Sequence, residues 1–182
     1  MPSPPSPLHL HLKDHEATIA LGVCFVEAMR ALGVYPALLL DGELGAGKTT
    51  FTRGAVQALP GGDEAEVASP SFNYLNVYPT EPETYHFDFY RLQDRGLDDE
   101  LFCALHEPAR LVIAEWASYC RSGDLPGDHL AVLFTARPDA REATIRARGA
   151  TAERVLCRLR DSLSTHFPFH DALQGGDPKC GS

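Results

Sequence analysis

Leu8, Leu10 and Leu12 alternate with His9 and His11, so the chain opens on a half-buried strand whose histidines face outward. Asp14 stands where a helix cap belongs. After it Ala17, Leu21, Cys24, Ala28 and Leu32 recur on one helical side, and Gly33 is placed to end the helix. Residues 37–41, ALLLD, form a continuous apolar run, the pattern of a strand buried on both faces of a parallel sheet. That run leads straight into glycines. Residues 49–59 then predict a helix, stopped by Pro60, Gly61 and Gly62.

A loop carrying Ser69, Pro70 and Ser71 follows, and YLNVY and TYHFDFY have the aromatic, alternating character of two strands, with antiparallel pairing open to them. LVIAEW, residues 111–116, predicts another buried strand, one that ends in an acid. Residues 130–135 and 143–148 predict two more, the second alternating Ala143, Ile145 and Ala147 with Thr144, Arg146 and Arg148. The last helix is expected from a capping Thr151 through Ala152, Val155, Leu156, Leu159 and Leu163.

The segment between the first buried strand and the second helix carries the chemistry. Residues 42–49, GELGAGKT, match the pattern G-x-x-x-x-G-K-[ST], and they lie in the strand-to-helix context that gives this pattern its meaning. Glycines there let successive backbone N–H groups converge on phosphate oxygens, and the helix that follows adds free donors and the positive end of its dipole. The pattern assigns Glu43, Leu44, Gly45, Ala46, Gly47 and Lys48 to the phosphate cradle. Lys48 is expected to bridge the β- and γ-phosphates, and the Thr49 hydroxyl to be a magnesium ligand. Thr50 either supports the cradle as a donor or packs beside it. The fold class this implies is α/β, a P-loop NTPase fold with a mixed, mostly parallel sheet flanked by helices and with appended antiparallel strands.

Phosphoryl chemistry also needs a carboxylate that reaches the metal or the attacking water from a strand end. Asp88, flanked by aromatics, and Glu115, at the end of an apolar run, both meet that requirement. Whether Glu115 is a ligand or a water-positioning base stays open at this point. His86, two residues before Asp88, reads as structural rather than as a general base.

Composition narrows the picture further. The chain has 182 residues, enough for one domain with its own core, and the expected division is a loose arm at 1–7, a single domain at 8–168 and a loose tail at 169–182. The arm lacks the basic and apolar regions of a secretory signal, and no apolar run is long enough to span a bilayer, so a cytoplasmic location away from membranes is expected. A net charge of −9 opposes unaided binding to nucleic acid, although Lys and Arg are dense between residues 137 and 160. The five cysteines show no C-x-x-C pair, which reads as reduced thiols rather than a metal site.

Taken together, residues 42–50, the Ser69-Pro70-Ser71-Phe72 loop, YHFDFYRL at 85–92 and Glu115-Trp116 resemble the TsaE (YjeE) family, the ATPase of the bacterial machinery that makes threonylcarbamoyladenosine in tRNA. The resemblance runs from about residue 14 to residue 150. It implies ATP and Mg2+ as cofactors, with Thr49, Asp88 and Glu115 around the metal and Trp116 near the nucleotide. It also implies a switch role for Ser69, Pro70, Ser71 and Phe72. TsaB and TsaD are implied as partners, tRNA being met through that complex. Ser71 stands where the family usually has Thr, Ala117 where it has Pro, and residues 94–108 match loosely. A small-molecule kinase and a slow nucleotide-gated binding module share the cradle and are the alternatives. A regulatory GTPase fits less well, because no N-K-x-D segment follows.

Overall fold

A computed structural model describes residues 5–92 and 96–165. The expected tail and residues 1–4 of the expected arm lie outside that range. In chain order the elements are β1 (Leu8–Leu12), α1 (His15–Leu32), β2 (Ala37–Gly42), α2 (Lys48–Gln57), β3 (Leu75–Tyr78), β4 (Thr84–Asp88), α3 (Asp99–Leu105), β5 (Leu111–Glu115), β6 (His129–Ala136), β7 (Arg141–Arg148) and α4 (Ala150–Thr165). A single 3₁₀ turn, Ala117–Tyr119, follows β5.

The strands form one seven-stranded sheet among the described residues, in the order β1-β7-β6-β2-β5-β4-β3. Its four central strands, β6, β2, β5 and β4, run parallel. Antiparallel strands complete both flanks, β7 and β1 on one side and β3 on the other. This is the P-loop NTPase arrangement expected from the sequence, and YLNVY and TYHFDFY pair antiparallel as β3 and β4.

The apolar run of β2 is buried on both faces, as its pattern required. Leu38 and Leu40 join a core with side chains of α1, α2 and α4, whereas Ala37 and Leu39 join a second core that holds Leu105 of α3. At roughly 1.5–3 kcal/mol for each fully buried large apolar side chain, such a strand is fixed at the centre of the sheet. Helices α1 and α2 cross closely. A Cβ on Gly22 would lie 2.3 Å from the Phe51 carbonyl oxygen, and one on Gly54 would lie 2.1 Å from that of Ile19. Phe25 and Phe51 then meet edge to face, with ring centroids 5.0 Å apart.

The helix ends separate local from distant signals. Asp14 caps α1, its carboxylate accepting from the Ala17 N–H at 2.7 Å, and Gly33 closes the helix in the left-handed region. Thr151 does not cap α4. The helix begins at Ala150, and Asp128, in the loop before β6, accepts from the N–H groups of Thr151 at 3.1 Å and Ala152 at 2.8 Å. A carboxylate satisfies two donors where the Thr hydroxyl would satisfy one, and it suits the positive end of the helix dipole. The cysteine expectation also needs correction at one position. Cys24, Cys103 and Cys120 are free thiols, but Cys157 is disulfide-bonded. No helix among the described residues is long and apolar enough to cross a membrane.

Candidate nucleotide site

The loop between β2 and α2 stands at the carboxyl edge of the parallel strands, where α/β sheets place their ligands. Gly42, Gly45 and Gly47 all have positive φ. Gly47 is the N-cap of α2 at φ 112°, and no side chain caps the helix there, so the first amides of α2 are left for an outside acceptor. Leu44, Gly45, Gly47, Thr49 and Thr50 line an open cleft of about 330 Å³ together with Lys48. The other two expected cradle residues act differently. The Ala46 N–H donates to the Glu43 carbonyl at 3.1 Å, and the Ala46 side chain is buried in the core.

Lys48 is 4% exposed, and its amine donates to the carbonyls of Gly42 at 2.7 Å and Glu43 at 2.9 Å. Burial pulls this amine below the ordinary lysine value, while Glu115, Asp88 and Asp41 push it back up. The Trp116 ring covers it, 3.6 Å from Nζ to the ring centroid. Trp116 holds that place by a left-handed backbone at φ 59°, an outlier for a bulky residue. Asp41, at the end of β2, fixes the following turn by accepting from the Ser118 N–H at 3.0 Å and hydroxyl at 2.7 Å. Tyr90 completes the wall, its ring centroid 4.9 Å from that of Trp116.

The two candidate acids come together through register. β4 and β5 are parallel neighbours, and Asp88 is the direct partner of Glu115. Both are 2% exposed. Glu115 Oε2 accepts from the Thr49 hydroxyl at 3.1 Å, which brings the expected metal ligands into one cluster. Asp88 accepts from the Tyr90 N–H at 2.9 Å and from the Ser69 hydroxyl, so the expected switch loop is tied to the second acid. Ser69 and Ser71 line the cleft, Pro70 is buried, and Phe72 projects outward at 77% exposed beneath the Arg91 guanidinium.

His86 is wholly buried, and its Nε2 lies 2.9 Å from Glu115 Oε1. Its Nδ1 faces the Tyr78 hydroxyl at 3.5 Å. The sequence reading of His86 as structural rather than a base fits this geometry, but it missed the contact with Glu115. Strand alternation carried the signal, because His86 and Asp88 share a face of β4. Arg91 also lines the cleft and was not singled out.

The donor set suits a nucleoside phosphate with magnesium. Uncapped amides of α2 and a lysine stand at the loop, and two carboxylates with a hydroxyl stand together beside them. Among the described residues no group of three or more His, Cys, Asp or Glu could hold a metal. Two acids and a hydroxyl are a set that would suit magnesium, which takes the rest of its ligands from phosphates and waters.

A parallel strand, a glycine loop at its carboxyl end and a helix opening on Lys48 and Thr49 define a protein of the P-loop NTPase fold. The family model described as "Threonylcarbamoyl adenosine biosynthesis protein TsaE" matches residues 12–144, and the chain belongs to this TsaE family. Among its relatives is the tRNA threonylcarbamoyladenosine biosynthesis protein TsaE of Bacillus subtilis, 37% identical over 131 residues, which are 71% of this chain and 78% of the relative. The protein of the same name from Nostoc is 34% identical over 162 residues, covering 86% of this chain and 91% of the relative. The crystal structure of Bacillus subtilis YdiB superposes with a TM-score of 0.67 at 27% identity, covering 86% of this chain and 96% of that one.

Proposed function

We propose that the chain is a magnesium-dependent ATPase that supports tRNA threonylcarbamoyladenosine formation, at the adenosine next to the anticodon, by driving turnover of a TsaB–TsaD complex. Residues 8–168 are its single ATPase domain, and it works in the cytoplasm, where it meets tRNA through the complex. The observation that carries this reading is the convergence of Lys48, Thr49, Asp88 and Glu115 on one cleft beside uncapped amides of α2. Family membership supplies the pathway.

In this reading the amides of residues 45–50 hold the phosphates, and Lys48 exchanges two loop carbonyls for phosphate oxygens. Thr49, Asp88 and Glu115 hold magnesium, which neutralises charge developing on the phosphates. Glu115 enters that shell already oriented, since His86 fixes one of its oxygens and leaves the other beside Thr49. Trp116 shields Lys48 from water and strengthens its field. Ser69 gives the loop at 69–72 a direct hold on Asp88, which is the contact a switch requires.

The test is a reconstituted reaction with TsaB, TsaD, an activated threonylcarbamoyl donor and tRNA. Wild type is expected to support repeated rounds of modification, and Lys48→Ala is not. Equal turnover without this chain would refute the pathway role. ADP release that depends on an added small acceptor would replace it with a kinase.

A further inference from the structure

The sheet is covered unevenly. On one face the inward side chains of β6, β7 and β1 are buried against α1, α2 and α4. On the other face the second core covers β2, β5 and β4, and no described residue of β6, β7 or β1 belongs to it. The outer face of those three strands is therefore a bare flank. Alternation puts His9 and His11 of β1, Glu142, Thr144, Arg146 and Arg148 of β7, and Leu133 of β6 on that flank. Both histidines, Leu133 and the two arginines are exposed.

The sign of this face is opposite to that of the whole molecule. The chain carries a net charge of −9, yet the acid at these outward positions is Glu142, and Arg137 takes it at 2.7 Å. Asp128, which precedes β6, is engaged by the Thr151 and Ala152 amides of α4. Among the described residues Arg146 and Arg148 have no ion pair or side-chain hydrogen bond. The basic stretch at 137–160 thus divides, since Arg154, Arg158 and Arg160 sit on α4, the helix that covers the opposite face.

Two arginines at alternate positions of a strand stand about 6.6 Å apart, close to the interval between successive phosphates of a nucleic acid strand. Their planar forks suit phosphate oxygens. The row continues across the strand pair, where His9 is hydrogen-bonded to the Thr144 hydroxyl at 3.1 Å. No Phe, Tyr or Trp lies on this face, so it offers neither the aromatic anchors of a protein interface nor a ring for base stacking. What it fits is a polyanion met through its backbone, as an A-form helix is.

We propose that the outer face of β6, β7 and β1 is a docking surface for the phosphate backbone of folded RNA, with Arg146 and Arg148 as its principal contacts. The inference rests on the tRNA pathway reading given above and not on the ATPase chemistry. Contact here is independent of base sequence and weak against the net charge, and a larger complex that holds the RNA close makes it effective.

Fluorescence anisotropy of a labelled tRNA transcript, titrated with the full chain across about 50–200 mM salt, tests this. Log affinity should fall with log salt at a slope of about −2, the value for two neutralised phosphates. Arg146→Gln and Arg148→Gln should each weaken binding by about tenfold at the lowest salt and take about one from the slope. Both residues are exposed, so melting curves should be unchanged. Arg154→Gln, on α4, should bind RNA as wild type, and all three variants should bind ATP as wild type. Wild-type affinity and slope in the variant lacking both arginines would overturn the assignment, as would absence of RNA binding by the wild-type chain. Polyglutamate that competes with the RNA at equal charge would replace RNA with an acidic polypeptide. None of these results touches the proposed function, which falls instead if the reconstituted reaction runs equally well without the chain.

Discussion

Replacing His86 by Ala should detach Glu115 from its fixed orientation, and the structure sets the size of the effect. The two side chains are 0% and 3% exposed and meet at 2.9 Å, so water cannot take the place of the imidazole without entering the core. Leaving a buried charge unpaired costs about 3–5 kcal/mol, a large part of the roughly 5–15 kcal/mol that holds a domain together. Thr49 still donates to the other oxygen and moderates the loss. A double-mutant cycle separates the pair from the cavity that Ala leaves. Urea unfolding of His86→Ala, Glu115→Gln and the double variant should give a coupling energy of about 1.5–3 kcal/mol, as for a hydrogen bond to a charged group. His86→Gln, which can still donate, should recover part of it. ATP turnover measured on the folded variants should fall with Glu115 misplaced. A coupling below about 0.5 kcal/mol, the scatter expected of independent sites, with normal turnover would refute the role given to His86.

Lys48→Ala should lose measurable ATP binding by calorimetry, because it removes the buried cation of the cradle. Asp88→Asn should cut ATP turnover by about a hundredfold or more while changing affinity less, as checked by a coupled ADP assay. Burial, aided by Glu27, raises the Cys24 thiol to about 11, and burial, aided by Asp124, raises Cys120 to about 11. At pH 8 only about a thousandth of either is thiolate, so iodoacetamide followed by mass spectrometry should label exposed Cys103 first, with Cys24 and Cys120 gaining as pH rises toward 11.

The parts of the fold legible in the sequence are those whose signal is contiguous. ALLLD announced a strand buried on both faces, and Leu8, Leu10 and Leu12 a strand buried on one, because burial period is written into neighbouring residues. Asp14 and Gly33 were readable as caps for the same reason. Asp128 was not, since it lies 23 residues from the Thr151 amide it accepts from. Strand order was equally out of reach. Nothing local says that β1, first in the chain, adds to β7 at the sheet edge.

The cradle was legible because its chemistry is one octapeptide, but the acids required two strands to meet in register. Their candidacy came from strand-end position alone, and what distinguishes them is long-range contact. Glu115 is held by His86 from β4 and by Thr49 from α2, both buried or half-buried parts of the core. Asp88 is held by Ser69, which is exposed and leads into a loop whose Phe72 projects outward. One carboxylate is thus held only from inside the fold, whereas the other is shared between the Tyr90 amide at its own strand end and a surface segment. A force applied to the loop at 69–72 would therefore act on Asp88 first and leave Glu115 in place. That asymmetry, rather than the cradle common to many P-loop proteins, is where an outside partner could gain control of the site.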